Sequence, residues 1–159
     1  MIIESDIILD KTDLHILRLM QDNARISNAD LARDLGMAPS GVLERVKKLE
    51  QKGVILQATI RINPEALQQK MLAFIFMKAA DGPGCNDTAK ALAQIPEVQE
   101  VHHIAGDDCY LVKVRTYDSS TLMNLMRAHF SKIPGLISTR TTIVLETVKE
   151  QQQLVIPEK

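Results

Sequence analysis

A chain of 159 residues with 45% hydrophobic and 25% charged residues has enough apolar material for one domain or two small ones, and is not of disordered composition. Aromatic residues make up only 3%, with no Trp, so the core must be aliphatic and a stacking platform for single-stranded nucleic acid is not expected. The net charge of −1 argues against a protein that coats nucleic acid with a uniformly basic surface.

Attraction to DNA would have to come from how charges are sorted. Residues 1–62 carry nine Lys/Arg against nine Asp/Glu. Cys85 and Cys109 form no CxxC spacing, so neither a zinc site nor a disulfide framework is indicated. The opening MIIESDIILDKTD lacks a basic segment followed by a long apolar core, and no stretch is apolar for the length of a membrane span. A cytoplasmic protein with no membrane association, metal or cofactor is the expectation.

In chain order, residues 2–9 are a short apolar arm, too brief to pack by itself, that either docks on a neighbour or frays. Asp10 stands at an N-cap position before KTDLHILRLMQDN, where Leu14, Leu17 and Met20 recur with Ile16 and Leu19 alongside, predicting a first helix. Ser27 and Asp30 resemble a capping box, flanked by Ile26 and Leu31 at the spacing of a hydrophobic staple. They open a short second helix that Gly36 is placed to end in a left-handed conformation. Pro39 suits the first turn of a third helix, whose Val42, Val46 and Leu49 form one buried stripe.

Ser40, Glu44, Lys47, Lys48 and Gln51 point away from that stripe, and Gly41, Arg45 and Lys52 flank it. A charged face opposite an apolar one is usually only a solvated helix surface. Here the short preceding helix, the glycine-containing turn and the length of the third helix together predict a helix-turn-helix reader of DNA. The small Ser40–Gly41 pair permits close backbone approach, and Arg45, Lys47 and Lys48 can reach phosphates or base edges.

Gly53 closes the third helix, and VILQATIRIN, Val54 to Asn63, reads as a connecting strand before Pro64 and a turn or short helix. MLAFIFMKAA from Met71 is a near-continuous apolar strand, DGPG a turn, and NDTAKALAQI a helix capped at Asn86 or Asp87 and stopped by Pro96. VQEVHHIA and CYLVKVRT form a hairpin. DSSTLMNLMRAHFSKI is a helix, and LISTRTTIVLETVK a long final strand. The order βαββαβ predicts a ferredoxin-like sheet with helices on one face, and the other face of the Met71 strand calls for a second copy. The fold class is therefore α+β. The expected divisions are a helix-turn-helix, winged-helix-like domain over 1–53, a linker strand and turn over 54–70, an effector-binding and oligomerisation domain over 71–148, and a tail over 149–159.

LDKTDLHILRLMQDNARISNADLARDLGMAPSGVLERVKKLEQKGVI, followed by a βαββαβ domain containing AGDDCYLVKV and PGLISTRTTIVL, resembles the Lrp/AsnC (leucine-responsive, feast/famine) transcriptional regulators. The resemblance runs from about Leu9 to Val148. It implies sequence-specific binding of double-stranded DNA, homodimers that assemble to tetramers or octamers, and an amino acid or related small-molecule effector bound between dimers. It implies DNA contacts from Ser40, Gly41, Glu44, Arg45 and Lys48, and effector contacts from the turn at Gly106 and Asp107, with Asp108, and from Thr139 and Thr141 on the last strand, with His103 and Ile104 entering the turn. Two positions depart from the family pattern. Ala38 stands where Ser or Thr usually caps the third helix, and Gly106-Asp107-Asp108-Cys109 replaces Gly-Asp-aromatic-Asp.

Other readings of the polar residues remain open at this level. His102, His103, Cys85 and Cys109 raise a metal site, against which adjacent strand residues project to opposite faces. His103 with Asp107 or Asp108 raises an enzyme, with no nucleophile elbow or phosphate loop in support. Cys109 is either a thiol sensor or a small buried apolar residue. The competing non-enzymatic function is an effector-independent or largely non-specific DNA-organising protein.

Overall fold

The computed structural model describes residues 7–80 and 86–158. Much of the N-terminal arm and the whole DGPG turn, with Cys85, lie outside the described residues. The chain divides into two compact units, one of Met1–Arg61 with Glu150–Lys159 and the other of Ile62–Lys149. The tail thus belongs with the N-terminal helices.

The first unit contains α1 (Lys11–Asp22), α2 (Asn28–Leu35) and α3 (Pro39–Gln51). Asp10 caps α1 with a full capping box: its carboxylate accepts from the Asp13 N–H at 2.8 Å, and its own N–H donates to the Asp13 carboxylate at 3.3 Å. Ser27 caps α2, accepting from the Asp30 N–H at 3.1 Å, while its hydroxyl donates to the Asp30 carboxylate at 2.6 Å. That carboxylate therefore serves the side chain of the cap, as the Ser27 hydroxyl serves the backbone of the first turn.

Gly36 sits at φ 62°, and the Met37 N–H returns to the Ala32 carbonyl at 2.9 Å, so the orphan carbonyls at the end of α2 are satisfied by a left-handed turn. Gly53, at φ 68°, ends α3 in the same way. Ile16, Leu31, Ala32, Val42, Val46 and Leu49 form the core of this unit, with Leu17, Leu19, Met20 and Ile26 partly buried around it. At the head of α3, Pro39 occupies the first position and Ala38 offers no side-chain cap.

The expected strand over Val54 to Asn63 does not form. Val54 and Ile55 pack against the core of the first unit, and residues 56–63 have no regular structure. The reason is the lack of a neighbouring strand among the described residues: β-branched composition favours extension, and a ladder needs a partner. Leu56, Ile60 and Ile62 are left exposed. The stretch after Asn63 is a short 3-10 helix, Pro64–Leu67.

The second unit is β1 (Met71–Ala79), α4 (Asp87–Ala93), β2 (Val98–His103), β3 (Tyr110–Thr116), α5 (Ser119–Ala128) and β4 (Leu136–Ile143), with a 3-10 turn at Phe130–Lys132. The sheet order is β2-β3-β1-β4 with antiparallel neighbours throughout, the ferredoxin-like arrangement. Alternate residues of β1 and β3, namely Ala73, Ile75, Met77, Tyr110, Val112 and Val114, pack against Leu92, Leu122, Leu125 and Phe130 from the helical layer.

The last strand is shorter than the sequence pattern extends. β4 ends at Ile143, opposite Ala73, and one further bond joins the Val144 N–H to the Leu72 carbonyl at 2.9 Å. Beyond it only Met71 of β1 remains, and Leu145 and Val148 are exposed.

Candidate nucleic-acid interface and effector region

The outer face of α3 is built by helical periodicity. Val42, Val46 and Leu49 turn inward, which leaves Ser40, Glu44, Lys47 and Lys48 exposed. Gly41 is half-buried, and a Cβ there would meet the Met37 side chain at 3.6 Å. Arg45, read from the sequence as a further contact, is directed elsewhere. Its Nη1 donates to Asp10 Oδ2 and to Asp13 Oδ1, each at 2.8 Å, so it bridges α3 to the capped end of α1.

The electrostatics follow from these contacts. The Asp13 N–H and then the Arg45 guanidinium hold the Asp10 carboxyl below its ordinary range, and the two carboxylates raise Arg45 in return. The Ser27 hydroxyl, assisted by Arg33, likewise lowers Asp30. A depression of about 530 Å³ lies beside α3, lined by Asp13, Gly41, Glu44, Arg45 and Lys48 among others. The cations at its rim are Arg45, Lys48 and Lys52, and two of these three are free of the α1 carboxylates.

In the second unit the residues expected to form one effector region are distributed over two faces of the sheet. His103 pairs in register with Tyr110 and its ring stacks on the Tyr110 ring at a centroid distance of 5.0 Å. The Ile104 N–H returns to the Cys109 carbonyl at 2.9 Å, closing the loop that carries exposed Gly106 and Asp107. Thr139 and Thr141 pair with Met77 and Ile75, residues of the helix-covered core, and the Thr141 hydroxyl lies 3.9 Å from the Met126 sulfur. Thr139 also lines a groove of about 440 Å³ between α5 and β4, with Met123, Met126, Phe130 and Ile137.

Asp108 turns to the other face. It accepts from Arg140 Nη2 at 2.9 Å, and the Arg140 guanidinium rests 4.2 Å from the centre of the Phe76 ring. The sequence pattern singles out both threonines and not Arg140, which stands between them. A signal for it exists: a lone cation in a run of hydroxyl residues, one step out of phase with them. On the same face, Glu100 accepts from Lys113 at 3.0 Å and lies 3.1 Å from His102. His102 first and Lys113 second hold the Glu100 carboxyl below its ordinary value.

Adjacent His102 and His103 therefore face opposite ways, and among the described residues no group of three His, Cys, Asp or Glu is arranged around a metal position. The Cys109 sulfur is 3.5 Å from both the N and the O of Ala79, at the irregularity where β1 shifts register against β4. No helix among the described residues is long and apolar enough to cross a membrane.

Residues 9–55 match the winged helix-turn-helix DNA-binding family, and residues 72–154 match the Lrp/AsnC ligand binding domain. A leucine-responsive regulatory protein from Haemophilus influenzae is 37% identical over 150 residues, which cover 93% of this chain and 90% of that protein. The chain belongs to the Lrp/AsnC family. Among solved structures, a feast or famine regulatory protein from M. tuberculosis complexed with L-methionine shares 31% identity at a TM-score of 0.85, covering 94% of this chain and 100% of that one. A transcriptional regulator from Neisseria meningitidis, solved as an L-Met complex, gives 27% identity and a TM-score of 0.84, covering 93% and 97%. As an Lrp/AsnC member the protein is a DNA-binding transcriptional regulator and not an enzyme, which removes the catalytic reading of His103.

Proposed function

We propose that this regulator reads operator DNA as a homodimer, in the cytoplasm, and that an amino acid bound in the second unit sets its affinity. The observation that carries the DNA half is the outer face of α3. Ser40, Glu44, Lys47 and Lys48 are exposed there, with no ion-pair partner among the described residues, on a helix fixed at its inner face by three buried residues. These four, with the Gly41 backbone, are the contacts; Arg45 positions the helix through Asp10 and Asp13. Two copies of α3 would enter successive major grooves about one helical turn apart.

A second copy is called for by the sheet. On the face away from the helices, β1 and β3 offer half-buried Phe74, Phe76 and Leu111. The exposed apolar residues of the linker, Leu56, Ile60 and Ile62, need cover of the same kind. Further association of dimers to a tetramer or octamer follows the family pattern.

The effector reading rests on the two relatives solved with L-methionine and on chemistry available near the β2–β3 loop. An amino acid carries one ammonium and one carboxylate. Asp107 and Asp108 supply acceptors for the first, and Arg140 a planar donor for the second. His103, Ile104 and Gly106 shape the loop, and Thr139 and Thr141 offer hydroxyls from the other side of β4.

The test combines a thermal-shift screen of the common amino acids with sedimentation and DNA binding. A binding amino acid should raise Tm and change either the assembly or the DNA affinity by a coupling of roughly 1–3 kcal/mol. A protein whose Tm, sedimentation and DNA affinity ignore every amino acid has no such effector. Equal affinity for selected and random duplexes at every salt concentration would instead favour non-specific organisation of DNA.

A further inference from the structure

The last turn of α1 is an unusual helix end. It has no basic residue, and its C-cap, Asn23, is extended at φ −144° instead of left-handed, so no glycine turn collects its carbonyls. The Asn23 N–H takes the Leu19 carbonyl at 2.9 Å. The Gln21 carbonyl is taken by a residue 132 positions away: the Gln153 side-chain amide donates to it at 3.2 Å.

Three further bonds fix the tail at this place. The Gln21 side-chain amide faces the backbone of Leu154 and satisfies both of its groups, Nε2 donating to the Leu154 carbonyl at 2.8 Å and Oε1 accepting from the Leu154 N–H at 2.9 Å. A primary amide presented edge-on to one residue in this way imitates the pairing of a neighbouring strand. One turn earlier, Arg18 Nη2 donates to the Pro157 carbonyl at 2.7 Å. Leu154 and Val155 themselves remain exposed and Ile156 is half-buried, so at Leu154 the tail is held by its peptide groups and not by its side chain.

The position of this seat gives it meaning. The chain leaves the first unit after Arg61 and re-enters it at Glu150, and these two residues are joined by an ion pair at 3.7 Å. The opposite end of α1 carries Asp10 and Asp13, the carboxylates that grip Arg45 of α3. One helix, about 18 Å long at 1.5 Å per residue, therefore bears the recognition helix at its head and the tail at its foot.

We propose that the segment Glu150–Glu158 is a strap that seats on Gln21 and Arg18, gives the first unit a second tether to the rest of the chain, and so restricts how far the DNA reader swings. With the strap seated, two readers of a dimer are offered to DNA at a restricted spacing. With it released, each hangs by the single linker through residues 56–63, and the effective concentration of the second reader at its half-site falls. The inference rests on the DNA-reading role of α3.

The experiment uses the full-length chain, a Gln21→Ala variant, a chain ending at Gln151, and the two changes combined. Each is measured for binding to a duplex selected from a random pool, to the same duplex with one half-site scrambled, and for amide exchange at Leu154 where that residue is present. The strap predicts that Gln21→Ala speeds Leu154 exchange about ten-fold or more. It predicts that Gln21→Ala and the shortened chain weaken paired-site binding several-fold and to the same degree, with single-site binding unchanged within two-fold and no further loss on combination. Free-peptide exchange of Leu154 in the unmodified chain, undiminished paired-site binding, or an equal loss on both duplexes would each overturn it. If the unmodified chain selects no duplex, the DNA-reading role fails separately, while Leu154 exchange still reports the seat.

Discussion

Arg45 Nη1 and Asp13 Oδ1 stand 2.8 Å apart on α3 and α1, across a sequence separation of 32 residues. The same nitrogen holds the N-cap carboxylate of Asp10. Replacing Arg45 by Ala should lower the stability of the first unit by about 1 kcal/mol in urea titration, a value kept small because the guanidinium remains partly open to water. Its effect on DNA binding should not change with salt. Lys48→Ala should leave stability alone and reduce the slope of log affinity against log salt by about 0.9 for each phosphate that the lysine no longer neutralises.

Acid sensitivity follows from the same pair. Asp10 titrates below its ordinary value of 3.8 in the folded protein, so the stability it contributes is present above that value and is lost as pH falls through the folded pKa. Asp10→Asn keeps a capping oxygen and removes the titration. Its unfolding free energy should therefore fall less steeply than that of the unmodified protein as pH drops below about 4, followed by circular dichroism with urea at each pH.

The head of α3 offers a gain. Ala38 has the extended backbone of an N-cap, φ −71° and ψ 141°, and lacks only the oxygen. Ala38→Ser should stabilise the first unit by about 1 kcal/mol, seen as a shifted urea midpoint with an unchanged m-value.

Gly36→Ala tests the turn between α2 and α3. An added Cβ would touch nothing within 4 Å, so the whole cost is the left-handed backbone at φ 62°. A loss of about 1 kcal/mol is expected. A much larger loss would mean that the turn is strained by something other than its dihedral angles.

Arg140→Ala removes the proposed carboxylate donor together with its contact on Phe76. Any amino acid that raises Tm in the unmodified protein should do so by less than half in this variant. An undiminished shift would move the effector site away from Asp108 and Arg140.

What was legible in the sequence was local. Asp10, Ser27, Gly36 and Pro39 mark helix ends by chemistry that acts within four residues, and the structure uses each of them where the pattern put it. The βαββαβ order was legible because its strands find partners inside the same unit. VILQATIRIN and the end of LISTRTTIVLETVK had the right composition for strands and no partner to pair with, which composition alone does not reveal. Arg45 looked like any cation at the border of an exposed helix face, and only the fold shows that Asp10 and Asp13 lie within its reach. The seat of Leu154 on Gln21 was beyond any pattern, since a lone polar Gln at a helix end carries no periodic signature.

Residues 56–63 carry a hazard of their own. Leu56, Ile60 and Ile62 are 88%, 67% and 55% exposed on backbone with no ladder, a β-prone stretch with Arg61 within it and Pro64 just after. Such a segment is a template for mispairing between chains, and a charge and a proline at its C-terminal end are the usual brakes. Replacing both would lengthen the sticky run, and the first sign would be turbidity during overproduction, well before any failure to recognise an operator.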